Sequence, residues 1–180
     1  AVHALVQMLR RARTAAMRSC AAALRGHLGD RSGPIASVTT PLDWQLGNGG
    51  YNEAYASFVG GLAALGADAI EIWNEPNLDR EWPAGQISGA AYTQLLAPAY
   101  NAIKANNGNT LVISGAMAPT GAEAAFPGRV RNDDAFLREM VAAGALNFMD
   151  CVGIHYNEGI VPPTQNSNDP RGDSYYTRFY

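Results

Sequence analysis

The sequence predicts an α/β protein with parallel strands, and three observations carry that prediction. Apolar runs of strand-forming residues start near 69, 110 and 151, so the unit repeats every 41 residues. Between the runs lie segments whose apolar residues recur at helical spacing, and strand and helix therefore alternate. The runs are continuously apolar, as expected when both faces of a sheet are covered. A strand–helix unit repeated at this length implies right-handed crossovers and parallel pairing.

Taken in order, residues 1–28 read as a helix, with Leu5, Met8, Leu9 and Ala12 at helical spacing. Ser32-Gly33-Pro34 breaks it, and 35–40 is a strand followed by a loop rich in Gly, Pro and Asn that holds Asp43 and Trp44. The next helix spans 53–65 with Asn52 as its N-cap. It carries Tyr55, Phe58, Val59, Leu62 and Leu65 on one face, and Gly66 ends it. Strand 69–75 leads to a helix over 89–106 whose apolar face is Tyr92, Leu95, Leu96, Ala99 and Ile103, and which Pro98 should kink. After strand 110–117 comes a helix capped by Asp133 or Asp134, carrying Phe136, Leu137, Met140 and Val141 and stopped by Gly144. Strand 151–157 closes the series. Residues 1–34 form an N-terminal helical segment with no obvious place in the repeat.

Composition sets the outer bounds. Of 180 residues, 47% are hydrophobic and 16% charged, which is enough apolar matter for one sizeable core and too much for a disordered segment. The formal net charge is −3 and the pI near 5.5, which argues against nucleic acid as a partner. No apolar run approaches the ~20 residues of a membrane-spanning helix. Cys20 and Cys151 are too few for a disulfide framework and read as core fillers rather than a bridge. His3, His27 and His155 are scattered, without metal-ligand spacing, so no metal or other cofactor is expected. The chain begins with Ala1 and shows no signal-peptide pattern, as in a mature secreted protein or a piece of a longer one.

Two architectures fit the repeat, a doubly wound sheet and a (β/α)8 barrel. Neither GxGxxG nor GxxxxGK[ST] follows a strand, so the phosphate-binding version of the first lacks its signature. In a barrel, active groups sit where strands end and βα loops begin. The notable polar residues sit there: Asp43-Trp44, Asn74-Glu75, Ser114 and His155-Tyr156-Asn157. Glu75 can donate a proton if burial against apolar surface such as Trp73 favours its neutral form. Asn74 offers two donors and an acceptor, which suits a sugar hydroxyl better than a metal. Trp44, Trp82 and Tyr156 could stack on the apolar faces of pyranose rings. A plain turn with a solvated carboxylate is the competing reading of Asn74-Glu75-Pro76, and a hydrogen-bonded rim histidine that of His155. Their places at strand ends favour a site.

Residues 70–77, Ile-Glu-Ile-Trp-Asn-Glu-Pro-Asn, resemble the fourth-strand signature of clan A glycoside hydrolases. These are retaining (β/α)8 enzymes that include cellulase-like and β-xylosidase-like families. The resemblance implies retaining hydrolysis of a β-linked glycan or glycoside, with Glu75 as general acid/base and Asn74 on the sugar 2-hydroxyl. Residues 152–157, Val-Gly-Ile-His-Tyr-Asn, resemble the clan's sixth-strand segment, which implies that His155 lines the site with Tyr156 and Asn157. The clan often has an aromatic residue where this chain has Asn157. The resemblance covers about 35–180, and it further implies a carbohydrate substrate, no cofactor, and an extracellular or cell-envelope setting.

A retaining glycosidase needs a second carboxylate about 5–5.5 Å from the first as nucleophile, and in this clan that residue ends the seventh strand. Counting 69–75 as strand four makes 110–117 and 151–157 strands five and six. Strands seven and eight, and the nucleophile, are then expected beyond Tyr180, and the expected fold is an incomplete (β/α)8 barrel. Such a chain is expected to be inactive alone, with a non-catalytic carbohydrate-binding fragment or gene remnant as the alternative. Glu158 reads as a loop residue, Glu71 as a deeper structural neighbour on the face of Glu75, and Asp43 as a turn cap or substrate ligand. Unpaired strand edges and an apolar inner face predict self-association, or cover by helix 1–28. Arg171-Gly172-Asp173 reads as a chance match in a polar loop.

Overall fold

The computed structural model describes residues 35–38 and 49–155. The helix expected over 1–28 lies outside them. Three parallel strands, β1 (Ile35–Val38), β2 (Ala69–Asn74) and β3 (Leu111–Ala116), form one sheet in that order. Ile35 pairs with Ala69 and Ala69 with Leu111, so the strands start level. Helices α1 (Gly49–Ala64), α2 (Gly89–Asn106) and α3 (Asp133–Ala142) connect or follow them. The described chain is thus mixed α/β with parallel strands, as expected. No helix among the described residues is long and apolar enough to cross a membrane.

The segment 151–154 runs beside β3 but makes only isolated parallel bridges, Ile113 to Cys151 and Met117 to Ile154. The continuous strand expected over 151–157 is corrected over its described part, 151–155, and the reason is local. Asp150 Oδ2 takes the Val112 N–H at 2.8 Å and Ser114 Oγ takes the Gly153 N–H at 3.1 Å. Side chains therefore occupy positions that ladder carbonyls would fill.

Alternation along β2 breaks at its end. Ile72 and Trp73 are consecutive, yet both are fully buried in the same core cluster. Trp73 achieves this with φ 78°, a left-handed conformation that non-glycine residues seldom adopt. The register is unchanged, but the pairing skips Trp73 and Gly115, passing from Ile72–Ser114 to Asn74–Ala116. Gly115 makes the distortion possible, since a Cβ there would lie 2.6 Å from the Ile72 carbonyl oxygen and 2.9 Å from that of Trp73. The Tyr92 hydroxyl fills the opening. It donates to the Ile72 carbonyl and accepts from the Gly115 N–H, both at 2.7 Å. One phenol thus bridges two strands where they part.

The helices lie together on one side of the sheet, where Ile70, Ile72 and Val112 are buried, while Glu71, Leu111 and Ile113 are half-exposed on the other. A single row of rings crosses the core, from Tyr55 to Trp73, Trp82, Tyr92 and Phe136, with centroids 5.6–6.0 Å apart. Ser88 caps α2, its Oγ accepting the Ala91 N–H at 3.1 Å. Asn52 is not a cap, because α1 begins three residues earlier. It serves α2 instead. Pro98 has no N–H to give the carbonyl of Gln94 one turn back, and Asn52 Nδ2 supplies a donor at 3.2 Å. Asp133 and Asp134 lie inside the first turn of α3, and Asn132 holds the cap position. Gly66 and Gly144, with φ 94° and 82°, end α1 and α3 as expected. Cys151 is disulfide-bonded rather than a free core filler, and the chain's other cysteine, Cys20, lies outside the described residues.

Three outcomes follow from this packing. Tyr92→Phe strands a buried carbonyl and a buried N–H, and should destabilise by about 2–3 kcal/mol in urea titrations, less than 1 kcal/mol meaning that the strands close on each other. Asn52→Ala should cost about 1 kcal/mol, and adding Pro98→Ala should recover most of it by restoring a main-chain donor to Gln94. Burial raises the phenol pKa of both Tyr92 and Tyr55. Because the folded values lie above the unfolded one, their stabilisation is complete below about pH 10 and is lost as pH rises beyond it. Melting temperature should fall above that pH, and these two of the eight tyrosines should show phenolate absorbance only together with unfolding.

Candidate functional site

The site forms where β2, β3 and 151–155 end. Asn74 is the last residue of β2, and Glu75 follows with φ 40°. The Glu75 N–H donates to the Ala116 carbonyl at 2.9 Å and its carbonyl accepts the Leu78 N–H at 3.0 Å. Pro76 stiffens the turn between. Asn77, fully buried, then locks the loop to β3. Its Nδ2 donates to the Ala118 carbonyl at 2.8 Å and to that of Arg131 at 3.1 Å, and its Oδ1 accepts the Ala118 N–H at 2.9 Å. The Asn-Glu-Pro-Asn run is therefore a rigid mount for the Glu75 carboxylate.

That carboxylate is enclosed. Glu75 is only 4% exposed, and its two oxygens have different partners. Oε1 lies 2.9 Å from His155 Nδ1, and Oε2 receives the Arg80 guanidinium. His155 arrives on a segment pressed against β3, and Gly153 allows the approach: a Cβ there would lie 2.2 Å from the Ser114 carbonyl oxygen. The His155 N–H reaches the Met117 carbonyl at 3.4 Å. His155 Nε2 and the Asn74 side chain make no hydrogen bond among the described residues, and both residues are partly exposed. Both residues flank the Glu75 carboxylate, Asn74 in sequence and His155 by contact.

The remaining candidates divide. Trp82 was expected to stack on sugar from a rim, and this is corrected. At 1% exposure it is core, with Trp73 edge-on at 5.8 Å and Tyr92 at 6.0 Å. The turn from Leu78 to Trp82 folds its indole inward, through the Trp82 N–H to Leu78 carbonyl bond at 3.0 Å. Ser114 is buried and spent on Gly153. Glu71 has a structural task, its Oε1 accepting the Ala116 N–H at 2.8 Å. Trp44, Tyr156 and Asn157 lie outside the described residues, as do Asp43 and Glu158. Arg80 went unnoticed in the sequence, where its only signal is a cation five residues past Glu75 in a tight loop.

Two loops wall the site and are zipped together. Leu78 bridges Val130 in antiparallel fashion, Asp79 pairs with Arg129, and the Gly85 N–H donates to the Gly128 carbonyl at 2.7 Å. Arg131 ties the second loop to α3 through Glu123 and Glu139. Partial burial works against its charge, but both carboxylates outweigh that and raise its pKa. Glu139 in turn accepts the Gly89 N–H at 2.9 Å, at the start of α2. Among the described residues no three His, Cys, Asp or Glu come together as a metal site.

The arrangement presents a buried carboxylate held by an imidazole and a guanidinium, with the Asn74 amide next to it in sequence. It is suited to exchanging a proton with a bound polar ligand and to hydrogen-bonding its hydroxyls. Comparison of the chain with protein-family models and with curated proteins finds no match.

Proposed function

We propose that this chain carries the acid/base side of a retaining glycoside hydrolase site, at the C-terminal edge of a (β/α)8 barrel of which the described strands are part. The observation that supports it is the Glu75 carboxylate, buried at a strand's end and met by His155 from the segment beside the next strand. In this reading Glu75 gives its proton to the glycosidic oxygen as the aglycone leaves. It then takes a proton from the water that cleaves the glycosyl–enzyme ester. Asn74 binds a sugar hydroxyl next to the bond that breaks. The substrate is a β-linked glycan or glycoside, and Glu71, tied to Ala116, is a poor candidate for the nucleophile. Because both oxygens of Glu75 are already engaged, a second reading is a carbohydrate-binding cleft without turnover.

Calorimetry with cello- and xylo-oligosaccharides tests both readings. The 180-residue chain should bind one of them and turn over aryl β-glycosides little or not at all. Asn74→Ala should weaken that binding about tenfold, the loss of roughly one good hydrogen bond. In the longest chain that the gene encodes, Glu75→Gln should lower kcat/KM about 10²–10⁴-fold for poor leaving groups and far less for dinitrophenyl glycosides. Turnover by the 180-residue chain that is lost on Glu75→Gln would place the nucleophile among Glu158, Asp43 and Glu71. No binding to any β-linked oligosaccharide would sink both readings.

A further inference from the structure

We infer that Arg80 makes this site selective for a sugar that bears a carboxylate, a uronic acid unit next to the bond that Glu75 serves. The inference rests on the glycoside-binding reading above and narrows its substrate class. Arg80 is held in an unusual way. The residue before it, Asp79, is pinned by Arg129 and by its N–H to the Arg129 carbonyl at 2.8 Å. The carbonyl of the residue after it, Glu81, receives Trp73 Nε1 at 2.9 Å. The backbone is thus fixed on both sides, while the Arg80 side chain is 63% exposed and its guanidinium has no partner but Glu75 among the described residues. A fixed root with a solvent-facing fork is the form of a recognition group rather than of a core ion pair.

The partner it holds states the chemistry it fits. A guanidinium matches a carboxylate in planar, paired hydrogen bonds. Arg80 on Oε2 and His155 on Oε1 both compete with a glycosidic oxygen for the Glu75 carboxyl group. A neutral sugar offers Arg80 nothing that replaces a carboxylate. A uronate does, and by taking over the guanidinium it removes one of the partners that hold the Glu75 carboxylate. The exchange is one carboxylate for another, so Arg80 ends with a charge partner both before and after. The His155 side chain, partly exposed and in contact with the same carboxylate through Nδ1, brings a second nitrogen to the neighbourhood.

The test uses two matched probes, cellohexaose and its C6-carboxyl counterpart, a β-1,4-linked hexaglucuronate. They are titrated into the 180-residue chain by calorimetry at low and at 0.5 M salt. The acidic probe should bind at least tenfold more tightly at low salt, with the advantage shrinking in 0.5 M salt. Arg80→Gln should erase that advantage. Arg80→Lys should retain only part of it, because an ammonium lacks the fork. Arg138→Ala, which removes an exposed cation paired with Asp134, should leave the advantage intact. A neutral probe bound as tightly as the acidic one, or an advantage that survives Arg80→Gln, overturns the inference and leaves the glycoside reading standing. Failure of both probes and of xylo-oligosaccharides to bind removes that reading, and the inference with it. Arg80→Gln takes a cation from the buried Glu75, so native circular dichroism of each variant is required before titration.

Discussion

Everything at the candidate site hangs on the Tyr92 hydroxyl standing between the Ile72 carbonyl and the Gly115 N–H. A parallel ladder cannot be interrupted at one residue without orphaning main-chain groups, and orphaned groups in a dry core are costly. The phenol settles both with one oxygen. That permits Trp73 its left-handed turn, which sends the indole to the helix side and brings Asn74 and Glu75 out at the strand's end. Glycine at 115 is the other half of the same arrangement, since any side chain there would strike the turned backbone.

A second level of order ties the loops to this mount. Buried Asn77 acts as a piece of false strand, answering both main-chain groups of Ala118. Arg131 and Glu139 carry the connection onward to α3 and the start of α2. These ties are mostly charge-assisted or directed at the main chain, the strong kinds. The loop that bears Arg80 is therefore rigid in its backbone, and what mobility it has resides in side chains.

Much of this was legible in the sequence. Strand starts, the span of α2, and the glycines that end α1 and α3 follow from apolar period and turn chemistry, which are local. The strand pattern predicts Glu75 and His155 at the same end of the sheet, and they lie 2.9 Å apart. What escaped was non-local. An aromatic residue in a loop looks like a stacking platform, and nothing in the residues around Trp82 says that Trp73 and Tyr92 will enclose it. The role of Asn52 depends on Pro98 in another helix, 46 positions away. Arg80 was invisible because an arginine in a polar loop is ordinary until its partner is known.

The edge-to-face contact of Trp73 and Trp82, 5.8 Å apart with planes at 76°, also gives the molecule an optical reporter. Two of its three tryptophans form a fixed, dry chromophore pair. Indoles so close and so rigid couple their transitions, and the coupling appears as near-ultraviolet circular dichroism, a signal that vanishes when side-chain packing loosens while secondary structure persists. Since Trp73 immediately precedes Asn74 and Glu75, that band monitors the mounting of the carboxylate itself. A chain can thus be judged for an assembled site by its spectrum, before any ligand is found for it.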